Sequence, residues 1–501
     1  MTFLTQTLQG SRLLRPWVML AEIRSGVIDQ WFQRSSFISR VVVGSLRWTL
    51  LPEGLPMLFA HAVGLLLLKL LPWGVGLLFI LQSFCSTGKI GMGVLFLFLI
   101  VILSGLFLRS WEGLRSKFTV IDMLVAVFLA SSALSTAFSS FLHTSLIGFA
   151  KMLVFMSGYV VFRVVSHEGR KPVIGLLWCL AALGLGESLI GLYQHAVHIQ
   201  PLATWSDPTI NPELRMDRIF GTLQPSNPNL LAGFLIPCIA ASLGLMLVYV
   251  RRKIWLFSAI LLASSFLAFY ALILTGSRGG FLAIAVMLTC LFGSLGHLIW
   301  NEEGLRPMRW MKPAWLVVLL MIVLSMGAGV ITSEKIRARV ASIFAMREDS
   351  SISYRLNVYN SALQMAKDNP LVGIGPGNGT FKLVYGLYMV PGYNALGAYS
   401  VPLEMAVEQG LIGLAIFLSL LLVLVLRTAL ALDNRVISLE RKLLLTSLLT
   451  GILGSFAYGV FDTIWYRPSV NLLFWFMVAA LAVLSEPPSA KVEVNIFHNV
   501  L

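Results

Sequence analysis

The sequence predicts an all-α polytopic membrane protein, with about 12 transmembrane helices and a large helical extracytoplasmic loop. The hydrophobic share of 57% exceeds the roughly 45–50% of soluble domains. The charged share of 12% is about half of the roughly 25% that is usual in such domains. Apolar runs of about 20 residues, the length that crosses a bilayer, recur along the chain. The composition therefore excludes a soluble, a disordered and a secreted disulfide-rich protein.

Twelve apolar segments are candidates for spanning helices, because every backbone polar group in hydrocarbon needs an internal hydrogen-bond partner. The first segment contains Pro72, so it is either one tilted span or two short ones. The candidates are 56–84, 88–108, 119–138, 145–163, 172–195, 229–250, 254–275, 279–300, 314–332, 404–426, 443–465 and 469–485.

The basic residues predict the orientation of these helices. If the N-terminus lies in the cytoplasm, most of the 37 Lys and Arg residues fall in cytoplasmic segments, as the positive-inside rule requires. We therefore expect both termini to be cytoplasmic. The net charge of +14 then belongs mainly to the membrane surface, and no nucleic-acid partner is needed to explain it. The four cysteines form no CxxC pair, so we expect no metal site.

The chain divides into five predicted parts. Residues 1–55 form a basic cytoplasmic segment, which either lies on the inner leaflet as an amphipathic helix or is a flexible tail. Residues 56–332 hold helices one to nine, and 333–403 form the extracytoplasmic helical loop. Residues 404–485 hold the last three helices, and 486–501 form a cytoplasmic tail.

The long loop carries two recognisable patterns. Leu356, Tyr359 and Leu363 recur at helical spacing and predict a helix over 353–367. The glycine-rich run GIGPGNG at 373–379 lacks the GK[ST] ending of a nucleotide-binding loop. It is either a tight turn packed at the membrane surface or a cradle of backbone amides for a phosphate.

Four arginines lie in segments that are predicted to be on the extracytoplasmic side of the membrane: Arg218, Arg278, Arg355 and Arg467. Guanidinium groups match the geometry of phosphate oxygens, so the four suit a dianionic ligand. Two simpler explanations stay open. Arg278 could reach from its tight TGSRGG turn to the interface, and Arg467 could pair locally with Asp462.

Lys151 and Glu187 are two of the charged residues that fall inside predicted spans, where charges are rare and usually paired or functional. Lys151 and Glu187 both lie in the outer half of their helices in this topology. They predict either a structural ion pair or a polar path for a substrate.

Several short motifs, taken in order, resemble the O-antigen ligase/polymerase superfamily. They are RxxGTxxxxNPNxLA at 218–232, TGSRGG at 275–280, SYRLNVY in the long loop, PLVGIGPGNGTF, and LEMAVEQGLIG at 403–413. The resemblance covers roughly residues 119–485. The pieces SIFAMREDSS, GIGPGN, AYSVPLE and FDTIWYRP further resemble the cyanobacterial IctB group, described as inorganic-carbon (bicarbonate) transport or accumulation proteins.

The superfamily resemblance implies a function at the outer face of the bacterial inner (plasma) membrane. Its enzymes move a glycan from a polyprenyl-diphosphate carrier to an acceptor, without a metal or another cofactor. By the same resemblance Arg278 and Arg355 would hold the diphosphate of the leaving group, with Arg218 or Arg467 nearby. Such arginines would stabilise the negative charge that develops as the bond breaks.

One departure from the ligases concerns the general base. In ligases a histidine stands nine residues before the glutamate of the ExG motif, and counting back from Glu408 gives Tyr399. Tyrosine, whose side chain has a pKa of about 10, is a poor base at neutral pH. Glu404 or Glu408 could replace it, although acidic side chains at a helix start also serve as polar packing.

The leading prediction is therefore an O-antigen ligase/polymerase-type membrane glycosyltransferase that acts on a polyprenyl-diphosphate-linked glycan. The alternative is an IctB-like inorganic-carbon transport or accumulation protein without transferase activity. Arginines that converge on one site would favour the first, and a polar path through Lys151 and Glu187 would favour the second.

Overall fold

A computed structural model describes most of the predicted membrane region. The described residues are 14–22, 55–81, 87–108, 118–166, 171–199, 217–223, 226–302, 312–313, 315–317, 331–332, 334, 337, 350–463 and 466–486.

Fourteen α-helices and no strand occur in these ranges. The helices are α1 Arg15–Glu22, α2 Leu55–Leu81, α3 Thr87–Leu108, α4 Val120–Ala137, α5 Leu142–Val165, α6 Lys171–Ala196, α7 Pro228–Arg251, α8 Trp255–Leu274, α9 Arg278–Asn301, α10 Ser350–Asp368, α11 Asn378–Tyr385, α12 Val401–Asp433, α13 Leu439–Gly459 and α14 Pro468–Ser485.

Nine of the described helices, namely α4 to α9 and α12 to α14, are long and apolar enough to cross a membrane. The apolar stretches Ala62–Leu78 in α2 and Gly88–Ser104 in α3 are shorter. Pro72 lies inside the single helix α2, so the first segment is one helix rather than two. The predicted span 314–332 falls almost wholly outside the described residues. The all-α, multi-pass prediction is confirmed, whereas the count of 12 stays a prediction.

The centre of the bundle consists of α7, α13 and α14, which are buried on nearly every side. Small residues allow these helices to approach closely, as is usual between membrane helices. A Cβ on Gly244 of α7 would lie only 2.2 Å from the Cβ of Ser447 in α13. The Ser447 hydroxyl donates a hydrogen bond to the Ala240 carbonyl oxygen at 2.7 Å.

The two ends of the bundle differ in their chemistry. We call the end on which residues 350–400 pack the loop side, and the other end the opposite side. On the opposite side Arg163 makes a bidentate contact with Asp122, at 2.9 and 3.0 Å, and also contacts Glu486 at 3.1 Å. Lys442 pairs there with Glu302 at 2.6 Å. These ion pairs join the ends of helices that are distant in sequence.

Helix α1 packs against the part of α12 that lies nearest the opposite side. Val18 and Ala21 are buried against Leu426. Residues 15–22 of the N-terminal segment thus form a helix that contacts protein, and its placement on the inner leaflet stays a prediction. Most of the remaining residues of 1–55 lie outside the described ranges.

Helix α12 is interrupted on the loop side at Gly410, which has φ 68° and ψ −174°. The chain that precedes α11 supplies hydrogen bonds at this break. Leu411 N–H donates to the Pro370 carbonyl at 2.7 Å, and Ile374 N–H donates to the Val407 carbonyl at 2.9 Å. The predicted span 404–426 is therefore part of a longer helix with a break. The hydrogen bonds at the break attach residues 350–400, which we call the loop subdomain, to the bundle.

Candidate functional site

The site centres on Asp462, in the turn between α13 and α14. Its Oδ2 accepts hydrogen bonds from Asn229 Nδ2 at 2.9 Å and from Arg355 Nη2 at 3.3 Å. Arg355 also donates to the Phe461 carbonyl oxygen at 2.8 Å. The arginine that opens the loop helix α10 therefore reaches the FDT turn, although more than 100 residues separate them in sequence.

Arg218 belongs to the same network. It donates to the Thr275 carbonyl and to the Asn229 side-chain oxygen, both at 2.7 Å. Because Asn229 also donates to Asp462, a continuous chain of hydrogen bonds runs from Arg218 to Arg355. Two of the four predicted arginines thus lie in one site.

Arg278 is the first residue of α9, directly after the N-cap Ser277. The Ser277 hydroxyl lies 3.2 Å from the Tyr458 hydroxyl, and a Cβ on Gly279 would lie 3.4 Å from the Phe461 Cβ. The residues on both sides of Arg278 therefore pack close to the last turn of α13 and to Phe461, beside Asp462. The approach of the Arg278 and Arg355 guanidinium groups to each other stays a prediction.

The predicted local pair of Asp462 and Arg467 is wrong. Asp462 is bound by Arg355 and Asn229, and no ion pair with Arg467 forms within the described residues. Arg467 is the N-cap residue of α14. Burial lowers the pKa of Arg467, and the negative charge of Asp462 opposes that shift. The charge of Asp462 therefore affects Arg467, although Arg467 does not contact the Asp462 carboxylate.

Arg355 remains a cation in this environment. Burial by itself would lower the pKa of its guanidinium, but the combined attraction of Asp462 and of Tyr359, Tyr458 and Tyr399 outweighs burial, and the pKa is raised. The guanidinium carbon lies 5.9 Å from the centre of the Tyr399 ring, within reach of a cation–π interaction.

Tyr399 occupies a strained backbone position beside this network. Its φ is 51°, which is uncommon for a residue with a side chain. Two hydrogen bonds hold it, from Tyr399 N–H to Thr463 Oγ1 at 2.9 Å and from the Tyr359 hydroxyl to the Tyr399 carbonyl at 3.0 Å. Burial raises the pKa of the Tyr399 hydroxyl above its usual value, so the hydroxyl stays protonated and is a poor base.

Glu404 lies behind Thr463 and is fully buried. The Thr463 hydroxyl donates to Glu404 Oε1 at 2.6 Å, so one hydroxyl connects Glu404 with the backbone of Tyr399. The other oxygen, Oε2, has no hydrogen-bond partner among the described residues.

Glu408 has a structural role that the sequence left open. Its Oε2 accepts a hydrogen bond from Gly377 N–H at 3.0 Å, and its Oε1 accepts one from the Tyr466 hydroxyl. Its backbone carbonyl accepts one from Gly375 N–H at 3.0 Å and one from Ser135 Oγ at 2.5 Å. Glu408 thus fixes the glycine-rich run against α12 and α4.

The glycine-rich run is a packed turn. The N–H groups of Gly373, Ile374, Gly375 and Gly377 all donate to protein oxygens. A Cβ on Gly148 of α5 would lie 1.9 Å from the Pro376 carbonyl oxygen, so the turn lies directly on that helix. The alternative, a phosphate cradle, would need amides that this structure already uses.

Lys151 and Glu187 do not form the ion pair that was one of their two predicted explanations. Glu187 accepts hydrogen bonds from Thr222 N–H at 2.8 Å and from Thr222 Oγ1 at 2.5 Å. Lys151 is exposed and makes no ion pair within the described ranges. Glu187 therefore holds the segment that carries Arg218.

Asp462, Asn229 and Thr463 were not singled out as site residues from the sequence. All three stand in motifs that carried the superfamily resemblance or the finer one, NPN and FDTIWYRP. The available signal was that both motifs place polar side chains next to the predicted arginines.

Comparison with known proteins supports the resemblance over part of this region. Residues 263–418 match the family model described as O-Antigen ligase. No curated protein matches the chain. The matched range holds Arg278, Arg355, Tyr399, Glu404 and Glu408. It does not address the finer resemblance to the IctB group, but it supports an O-antigen ligase/polymerase-type membrane protein.

Proposed function

We propose that this protein is a membrane glycosyltransferase of the O-antigen ligase/polymerase type. It moves a glycan from a polyprenyl-diphosphate carrier to an acceptor at the loop side of the bacterial inner membrane, with both termini on the cytoplasmic side. The observation that carries the proposal is the hydrogen-bond chain that runs from Arg218 through Asn229 and Asp462 to Arg355.

The arginines would bind the diphosphate of the donor. A guanidinium forms short, charge-assisted hydrogen bonds with phosphate oxygens, and it stabilises the charge that accumulates on the leaving group. Arg355 has the geometry for this role, because it is held at the site and stays charged. Asp462 is the anion that Arg355 contacts.

The acceptor hydroxyl needs a base, and three carboxylates are near the arginines. Glu404 and Glu408 are almost completely buried, and both oxygens of Glu408 already accept hydrogen bonds. Both Asp462 oxygens also accept hydrogen bonds, Oδ1 from Thr463 N–H at 2.7 Å, but the Asp462 side chain is 14% exposed, beside Arg355 at 25%. A base must come within hydrogen-bond distance of the proton that it removes. Asp462 therefore joins Glu404 as a candidate base, and Glu408 is a positioning residue.

Tyr399 would position the acceptor. Its ring lies beside the Arg355 guanidinium, and its backbone is fixed by Thr463 and Tyr359. An aromatic ring in this place can stack against a sugar, and a protonated phenol can donate a hydrogen bond to it.

The inorganic-carbon alternative has no specific observation in its favour. A transport function predicts a polar path through Lys151 and Glu187. Glu187 instead binds Thr222, and Lys151 is exposed.

The test of the proposal is turnover of a polyprenyl-diphosphate-linked glycan by the purified chain in vesicles. Arg355→Ala should abolish turnover, and Arg355→Lys should restore little of it, because lysine lacks the planar fork. Lys367→Ala is the matched control, since Lys367 is an exposed cation on the same helix, and it should retain full activity. Equal turnover by all three variants would contradict the diphosphate site.

A second series separates the candidate bases. Glu404→Gln, Glu408→Gln, Asp462→Asn and Tyr399→Phe are compared for turnover and for thermal stability. The base variant should lose turnover while it keeps its melting temperature, and Glu408→Gln should lose stability. If the unmutated chain shows no turnover with competent donor and acceptor, and a deletion strain loses carbon uptake, the transport alternative replaces this proposal.

A further inference from the structure

The loop subdomain carries an apolar ridge that the bundle does not cover. The ridge consists of Leu383, Leu387, Met389 and Val390, whose exposed fractions are 48%, 80%, 38% and 45%. Leu383 and Leu387 are four residues apart, so they lie on one face of α11 and the turn that follows it. Four large apolar side chains that follow one another are more than the isolated exposed residues common on water-facing surfaces.

The other face of the same segment is apolar as well. Phe381, Val384 and Tyr385 are buried in the core of the subdomain, against Val358 and Met365. Only Leu383 of the ridge lies within α11, and the other three residues follow it. The core covers the inner face of this segment, and the ridge is the apolar part that stays exposed.

Contacts with α5 give the depth of this segment. A Cβ on Gly379 would lie 2.7 Å from Thr144 Cγ2, and a Cβ on Gly377 would lie 2.6 Å from the Gly148 Cα. Helix α5 has 24 residues and is about 36 Å long, against about 30 Å for the hydrocarbon core. If α5 is centred, Gly148 lies about 6 Å below the hydrocarbon boundary on the loop side and Thr144 lies at that boundary, so α11 begins close to the boundary.

Helix α12 gives a second, independent depth. Residues 411–433 follow the break and alone measure about 34 Å, enough to cross the hydrocarbon core. Leu411 and Ile412 therefore lie near the boundary, and both are exposed. The Leu371 carbonyl accepts a hydrogen bond from Ile412 N–H at 3.4 Å, and the Leu371 side chain is 65% exposed at the same level.

We infer that the apolar ridge inserts into the bilayer leaflet on the loop side and anchors the subdomain beside α5. The occupant of the surface is the acyl-chain region of phospholipid. The first two turns of α5, against which α11 packs, also face lipid: Leu142, Leu146 and Ile147 are each about half exposed, from just above the boundary to the level of Gly148. Lys382, exposed next to the ridge, can reach the phosphate headgroups.

The anchor has a consequence for the site, because the ridge and Arg355 belong to one subdomain. Val358, one turn after Arg355, packs in the same core as Phe381 of α11. A ridge held in the leaflet therefore keeps Arg355 close to the membrane surface. This inference depends on the membrane-spanning fold and does not depend on the proposed transferase activity.

The test uses the unmutated full chain in vesicles of phosphatidylcholine and phosphatidylglycerol that contain a phospholipid with a diazirine on its acyl chain. After illumination, peptides that cover 383–390 should carry as much label as those that cover Leu146 and Ile147. They should carry several-fold more than the peptide around Gln364, an exposed polar residue of α10. Label at the level of the Gln364 peptide would overturn the inference.

A second measurement gives depth directly. Spin labels at Leu387→Cys, Leu146→Cys and Gln364→Cys, in a chain whose four cysteines are replaced by Ala, are compared for access to oxygen and to a water-soluble nickel complex. The Leu387→Cys label should resemble Leu146→Cys, with high oxygen and low nickel access. High nickel access would place the ridge in water. Protection from both reagents with spin–spin broadening would assign the ridge to a second copy of the chain, and either result overturns the proposal.

Discussion

Replacing Gly410 by Ala tests whether the break in α12 holds the loop subdomain in place. Gly410 has φ 68° and ψ −174°, a conformation that is essentially restricted to glycine. The N–H groups that follow it donate to the carbonyls of Pro370 and Leu371, which lie just before the glycine-rich turn. A side chain at this position should therefore disturb both the backbone of α12 and its contact with the turn.

The magnitude follows from two contributions. Forcing alanine into this conformation costs about 1–3 kcal/mol. The new Cβ would lie 2.1 Å from the Leu371 carbonyl oxygen and 2.3 Å from its carbon, backbone atoms that cannot rotate away. Overpacking of this kind costs about 1–3 kcal/mol more. The lower entropy of the unfolded alanine chain offsets about 0.4–1 kcal/mol. We expect a net destabilisation of about 1–5 kcal/mol.

The assay is the apparent melting temperature of the purified chain in detergent, measured at one scan rate because membrane-protein unfolding is often irreversible. One kcal/mol corresponds to about 2–4 °C in domains of 150–250 residues, so a drop of several degrees is expected. Gly293→Ala is the matched control. A Cβ on Gly293 of α9 meets no atom within 4 Å, and alanine favours a helix interior by about 0.5–1 kcal/mol.

The reasoning would be refuted if Gly410→Ala melted at or above the temperature of Gly293→Ala. The break would then tolerate a side chain, and the attachment of the glycine-rich turn to α12 would not depend on glycine at this position.

Three further outcomes are expected. Arg163→Met leaves Asp122 buried without its bidentate partner and should destabilise the chain by about 3–5 kcal/mol in chemical denaturation, where a loss near zero would contradict the buried pair. Glu187→Gln should cost about 1–3 kcal/mol in the same assay, while Lys151→Gln, at an exposed position, should leave the midpoint unchanged. Because burial raises the pKa of Tyr399, its stabilising effect is complete below about pH 10 and declines above it. A pH series of melting temperatures should therefore show a smaller alkaline loss in Tyr399→Phe, and parallel curves would contradict this assignment.

The fold was largely predictable because the bilayer permits few structures. Hydropathy alone located the helices from α4 to α9 to within a few residues. It failed where helices continue beyond the hydrocarbon. The predicted span 404–426 is the helix Val401–Asp433, whose first turns pack against the loop subdomain. Hydropathy carries no signal for such an extension, and it could not reveal the break at Gly410.

The site was only partly predictable, because a sequence shows which charges exist but not which partner each one finds. A pair of Asp462 with its sequence neighbour Arg467 was one open explanation, whereas the structure pairs Asp462 with Arg355. A pair of Glu187 with Lys151 was one of two explanations for these charges, whereas Glu187 binds the backbone and hydroxyl of Thr222. Both alternatives paired charges along the chain or at one level of the bundle, whereas the observed partners lie in segments that are distant in sequence.

The contacts of Glu408 connect the site with the loop subdomain that carries the inferred membrane anchor. Both of its carboxylate oxygens and its backbone carbonyl are hydrogen-bonded, so the first turns of α12 are fixed to the glycine-rich turn. Glu404 lies one turn earlier on the same helix and is therefore fixed relative to Thr463 and Tyr399. The glycine-rich turn itself lies on α5 at Gly148. A shift of the loop subdomain in the leaflet would consequently move Glu404 against Thr463, so the depth of the anchor and the geometry of the candidate base cannot change independently.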